Sequence, residues 1–198
     1  NLNLNQYSTS TSIVSTNTHQ LINIPPCLLV LTTAAESALI NSTILSSPSL
    51  TWQKLADAHA ASSGDAEVFY AVHSGGDVSV TNIWNRANTV CSSVLYVFTG
   101  ASIPTNFVVA TTQSQPSVTI NTTKTNSVLI AVSSDWNAAS GTITYRNTPV
   151  IQTLTHSVIP KYQSAHWYKQ TTNITSYIMG ETSPSGQAAG TIVVEISR

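Results

Sequence analysis

The chain has 198 residues and a formal net charge of −1, with 41% hydrophobic and only 8% charged residues. A soluble domain usually has about 25% charged residues, so the polar surface here must come from 28 Ser, 28 Thr and 15 Asn. The seven basic residues are scattered singly (Lys54, Arg86, Lys124, Arg146, Lys161, Lys169, Arg198) and cannot neutralise a track of phosphates, which argues against a nucleic-acid partner.

No stretch reaches the roughly 18 consecutive apolar residues of a membrane-crossing helix, so no membrane insertion by a helix is expected. The first residue is Asn1, which reads as a processed or partial chain. A weakly charged surface opposes self-association only slightly, so a homo-oligomer or contact with other subunits of a larger assembly is expected.

In chain order, residues 1–20 alternate Asn with Leu and then run into Ser and Thr. The period of two permits a strand, but without a sustained apolar face the segment reads as an extended arm or linker. Such an arm can add a strand to a neighbouring subunit. Residues 21–198 then form a single domain. Pro25-Pro26 leads into a dense apolar strand, Cys27–Thr33. Residues 34–46 (AAESALINSTILS) are the best helix or 3₁₀ candidate.

From Thr51 onward strands and turns alternate. Ala66–His73 and Val78–Trp84 flank Ser74-Gly75-Gly76-Asp77, which reads as a hairpin turn. Val90–Phe98 is apolar along most of its length and should be covered on both faces. Further strands are expected at Phe107–Thr111, Val118–Asn121, Ser127–Ser133, Thr142–Arg146, Gln152–Ser157, Gln163–Lys169, Ile174–Thr182 and Gly190–Ile196.

Ten to twelve such segments with no clean helical period predict an all-β fold, an antiparallel two-sheet sandwich that is jelly-roll-like. Its core should hold Val68, Tyr70, Val94, Tyr96, Phe98, Leu129, Ala131, Ile192 and Val194.

The order of these segments carries a resemblance. Trp52 stands near the start of a strand, followed by Glu67–Val72, by Gly75-Gly76-Asp77 with Val78–Thr81, by Ser93–Gly100, by Ser127–Val132 and by Gly190–Ile196. This series resembles a β-sandwich module of phage structural proteins and bacterial surface proteins, over about residues 27–196. Thr51 stands where the module usually has Gly before the first Trp, and Thr99 where it has the Arg of a Tyr-Arg-Gly element. The resemblance implies a non-enzymatic role as a tail, capsid-surface or decoration subunit, located on the virion surface or extracellularly. It brings over no catalytic residue.

The reactive residues give no assembled chemistry by spacing. No Gly-x-Ser-x-Gly elbow occurs, and the five histidines (His19, His59, His73, His156, His166) show no metal-ligand spacing, although His59 and His73 could face each other across a hairpin. A carboxylate pair such as Asp135 and Glu181 would need a groove between its members. Asp65 and Asp77 read as turn residues. No catalytic residue, metal site or cofactor is expected. Cys27 and Cys91 either form a disulfide across two strands or act as buried thiols.

Sugar recognition uses an aromatic platform with amides and charged groups beside it. Trp84-Asn85-Arg86 and Asp135-Trp136-Asn137 are the two clusters of that kind. They make a host-surface glycan or receptor the alternative partner. Trp52 is expected in the core.

Overall fold

The computed structural model describes residues 1–37 and 39–198. Among the described residues there are sixteen strands and no helix. In the first hundred residues they are β1 (Asn3–Ser12), β2 (Thr16–Ile24), β3 (Cys27–Ala35), β4 (Ser42–Ser47), β5 (Gln53–Ala58), β6 (Asp65–His73), β7 (Gly76–Trp84) and β8 (Cys91–Thr99). The remainder holds β9 (Asn106–Gln113), β10 (Ser117–Asn121), β11 (Val128–Asp135), β12 (Thr144–Tyr145), β13 (Ile151–Val158), β14 (Tyr162–Gln170), β15 (Ser176–Ser183) and β16 (Ala189–Ile196).

The strands form four antiparallel sheets. Two five-stranded sheets, ordered β1-β8-β3-β6-β5 and β13-β14-β11-β16-β9, pack face to face as a sandwich. A three-stranded sheet covers the far side of each: β2-β7-β4 on the first and β10-β15-β12 on the second. Adding eight to each strand number of the first half reproduces the order of the second half, sheet by sheet. The chain is thus two topologically equivalent halves in one stack of four layers.

The apolar runs of the sequence follow from this layering. Side chains on a strand alternate between faces. On β3, Leu28 and Val30 point into the core between the two halves, while Leu29 and Leu31 point toward β2 and β7. On β11, Val128 and Ile130 face the shared core, and Leu129 and Ala131 pack with Ile120 and Met179. A strand buried on both faces reads as a continuous hydrophobic run, which is why β3, β8, β11 and β16 carry the strongest signal. Eight of the nine expected core residues are buried, and Tyr70 is half-buried. Trp52 lies half-buried against the first outer core.

Three expectations change. The helix candidate at 34–46 is the end of β3, a loop and β4; Ala38 itself lies outside the described residues. Short Ser- and Thr-rich segments are drawn into the outer sheet, because β7 offers β4 a full ladder from Ser42–Trp84 to Ser47–Ser79. Ser74-Gly75-Gly76-Asp77 does not close a hairpin: β6 belongs to an inner sheet and β7 to the outer one. The turn passes the chain between layers, with Gly75 and Gly76 at φ of 100° and 99°, a region open to glycine. Residues 1–20 are extended, but they pair within the chain, β1 along β8 and β2 along β7, so no free arm remains to clasp a neighbour.

The seam between the halves is polar at one end. His166 on β14 is fully buried, with Nδ1 2.8 Å from Thr32 Oγ1 and Nε2 2.9 Å from Ser92 Oγ. Ser92 also meets Tyr162 Oη at 2.8 Å and Ser164 Oγ at 2.7 Å. Tyr162 donates to the Ala34 carbonyl, and Ser134 donates to the Ala35 carbonyl at 2.7 Å. Gly64 closes the same end, donating its N–H to the Ala188 carbonyl at 3.0 Å. A Cβ on Gly64 would lie 2.3 Å from the Ser134 carbonyl oxygen, so the backbones meet here only because a side chain is absent.

Burial lowers His166 to about 3, with the fields of His19 and His156 adding to it, and burial lowers His19 to about 4, from ordinary values of 6.5. A histidine lowered in the folded state stabilises fully above its unfolded value, and that stability is lost as pH falls below it, by about 1.4 kcal/mol per pH unit. Asp65 and Glu181, raised by burial to about 6 and about 7, act with the opposite sign, so the slope of the whole protein is a partial cancellation. Comparison with a variant isolates the histidine. His166→Gln should be less stable than the parent by about 2–4 kcal/mol at pH 7.5, from lost hydrogen bonds and imperfect filling. That gap should narrow steadily between pH 6.5 and 4.5 in denaturant titrations. A gap independent of pH would contradict a neutral, buried imidazole.

Candidate functional site

The register places one end of every inner strand together. Ala35 pairs with Cys91 and Asp65, Ser12 with Cys91, and Asp135 with Gln163 and Ala189. Asn1, Lys124 and Arg198 line a hollow at the opposite end of the stack. The end holding Ala35 and Asp135 therefore presents residues 36–37 and 39–41 and loops 13–15, 85–90, 136–143 and 159–161 around the seam.

Between these loops lies a cleft of about 340 Å³, lined by Glu36, Ser37 and Arg86 from the first half and Trp136, Pro160 and Lys161 from the second. Its walls are fixed from behind. Asp135 is buried and accepts the backbone N–H groups of Asn137 at 2.8 Å, Ala139 at 2.7 Å and Ala188 at 2.8 Å. That shapes the loop so that Trp136, with 41% of its surface exposed, stands outward. The Arg86 carbonyl accepts Ser15 Oγ at 2.5 Å and Thr89 Oγ1 at 2.8 Å, while its guanidinium donates to Ser37 Oγ. Glu36 Oε1 accepts the Val90 N–H at 3.1 Å, tying two of the loops together. The Lys161 N–H donates to the Val158 carbonyl at 2.7 Å, closing the turn that carries Pro160.

Of the six residues expected at a ligand site, the cleft brings Arg86 and Trp136 together. Trp84 is a correction. It is 2% exposed and packs with Ala35, Ile40 and Cys91. The signal was available, since Val78, Val80, Asn82 and Trp84 fall on one face of β7 and all four are buried. Asn85 exchanges hydrogen bonds with Asn41, the residue before β4. Asn137 donates to the Gly186 carbonyl at 3.3 Å. Asp135 holds the loop from within. Glu36, Ser37, Pro160 and Lys161 were missed, because no local pattern in the sequence links them to Trp136.

The cysteines do not pair. Cys27 begins β3 and Cys91 begins β8, and these strands run antiparallel with Cys91 beside Ala35. Eight residues at about 3.3 Å each separate them along the sheet, against the 4.4–6.8 Å typical between bridged Cα atoms. Both are free and buried, and burial raises their thiols to about 11 and about 12. The thiolate that reactive cysteines need is therefore disfavoured.

Other titratable groups are occupied. Glu67 takes Lys54 Nζ at 2.5 Å and the Ser42 N–H at 3.0 Å, and His59 Nε2 lies 3.4 Å away. Burial opposes the charge on Glu67, but these partners outweigh it and lower its pKa. His59 and His73 do not face each other, since His59 sits beside Glu67 near the start of β6 and His73 ends that strand. Asp65 accepts the Ile40 N–H at 2.7 Å, and Asp77 the Asn23 N–H at 2.8 Å. Glu181 is held by Ser133 and by Gln187 at 2.7 Å, and burial raises it to about 7. It and Asp135 are each 1% exposed, so no groove runs between them. The Ser92–His166–Thr32 chain has the atoms of a hydroxyl–imidazole pair, but all three residues are fully buried. Among the described residues no three His, Cys, Asp or Glu side chains converge as a metal site.

Comparison with protein-family models, with curated proteins and with solved structures finds no match. The chemistry of the site rests on its own residues.

Proposed function

We propose that this chain is a non-enzymatic recognition domain of a surface-exposed assembly, of the virion-structural kind its strand motifs resemble, and that it takes a glycan or receptor group in the seam cleft. The observation that carries this reading is the meeting of Trp136 and Arg86. They lie fifty positions apart in different halves, and both line one cleft at the loop end of the stack. An exposed tryptophan offers a flat apolar face, and the flanking Arg86, Lys161, Ser37 and Glu36 offer directional donors and acceptors.

The cleft is also preorganised, because buried groups rather than solvent fix each wall, and preorganisation reduces the ordering cost of binding. A glycan array should show binding by the parent chain. Trp136→Ala should weaken that binding by about tenfold or more while leaving the melting temperature within about 2 °C, since the side chain is largely outside the core. Absence of any signal for the parent, or full binding by Trp136→Ala, would overturn the reading.

Assembly with identical copies is a second reading, favoured by β9. It is an edge strand that turns Val108 and Ala110 to the outer sheet and Phe107 and Val109, 39% and 40% exposed, to the opposite, seam-side face at the flank of the stack. Light scattering should then give a multiple of the 21.0 kDa chain mass, and Phe107→Asp with Val109→Asp should return it to the monomer. A parent chain monomeric at every concentration would contradict assembly through this edge.

A further inference from the structure

We infer that the seam cleft selects an acidic saccharide, one bearing a carboxylate or sulfate, over a neutral one; this rests on the recognition reading above. The inference comes from the imbalance of free charge around Trp136. Arg86 and Lys161 are both exposed at the rim, and neither forms an ion pair with a carboxylate among the described residues. Glu36 is half-buried and already accepts the Val90 N–H. The other acids at this end, Asp65, Asp135 and Glu181, are closed from solvent. An incoming anion therefore meets two cations whose only charged neighbour in the lining is a hydrogen-bonded Glu36.

The chemistry of the two cations also differs. A guanidinium presents a planar fork that matches a carboxylate or sulfate edge, and an ammonium acts as a mobile point charge. The Arg86 main chain is pinned by Ser15 and Thr89, and its guanidinium is oriented by Ser37. That geometry suits directional pairing better than general attraction. The Trp136 face then lies where the ring of the same sugar can stack.

A second groove of about 400 Å³ shares Pro160 and Lys161 with the cleft and is lined by Ile13, Val14, Val158 and Ile159. It places apolar surface beside the charged site, where an apolar substituent of the sugar can rest.

The test uses three oligosaccharides of equal length titrated against the full chain by calorimetry. One contains uronic acids without sulfate, one carries sulfate, and one is the uronic-acid form with its carboxylates reduced to alcohols. Either acidic form should bind at least about tenfold more tightly than the reduced form, with affinity falling as salt rises. Arg86→Gln and Lys161→Gln should each remove most of that preference without changing the melting temperature. The arm that binds best separates carboxylate from sulfate as the recognised group.

Equal binding of all three, still lost in Trp136→Ala, would overturn the charge selection and leave the recognition reading standing. No binding by any of them would overturn the inference, while a neutral hit on the array would still support recognition. Binding to vesicles containing anionic lipid, undiminished by a saturating acidic oligosaccharide, would also overturn it and would assign the cations and the apolar groove to a lipid surface.

Discussion

The structure depends on inner strands that are buried on both faces. A sheet in an ordinary two-layer sandwich covers one face and leaves the other to water. Here β3, β8, β11 and β16 lie in the second and third of four layers, and each alternates its side chains between two separate cores. The shared core joins the halves through apolar contact between sheets, which has no direction of its own. Register across the seam must come from groups that do have direction. His166 bridges Thr32 and Ser92, Ser134 reaches the Ala35 carbonyl, and Gly64 meets Ala188. These bonds crowd the loop end of the stack, where an error of register would displace the loops of one half against the other.

That placement connects the fold to the proposed function. Every cleft wall is hydrogen-bonded to something behind it, and the walls come from opposite halves. The separation of Trp136 from Arg86 is consequently set by the seam rather than by either loop. The equivalent halves differ at their buried polar positions. Asn82 donates to Thr33 at 2.7 Å in the first half, while Glu181 accepts from Ser133 in the second. The loops differ too, since the tryptophan comes from one half and the arginine from the other. A pair of like units can in this way present an asymmetric site.

The β class and most strand positions of β6 to β16 were legible because alternation and apolar runs are local signals. The sixteen strands exceed the ten to twelve expected chiefly because β1, β2 and β4 are rich in Ser, Thr and Asn and gain their pairing from neighbours. The doubled topology left little trace. Leu29 and Leu129 correspond in place, but the strands around them share pattern rather than identity. Of the residues that line the cleft, Trp136 and Arg86 were the two singled out from the sequence. Trp84 was misread because its position beside Asn85 and Arg86 outweighed the two-residue period that buried it. Lys161 and Glu36 come to line the cleft only through the packing of the halves, which no stretch of sequence records. The disulfide between Cys27 and Cys91 depended on which ends of two strands adjoin, and antiparallel pairing set those ends apart.

The central claim is that the halves are one cooperative body, because neither inner sheet has a covered second face without the other. Differential scanning calorimetry of the full chain at neutral pH tests it most directly. The account predicts a single transition whose calorimetric and van't Hoff enthalpies agree. Two resolved transitions, or a van't Hoff enthalpy far below the calorimetric value, would contradict it; the first would show that each half folds without the seam.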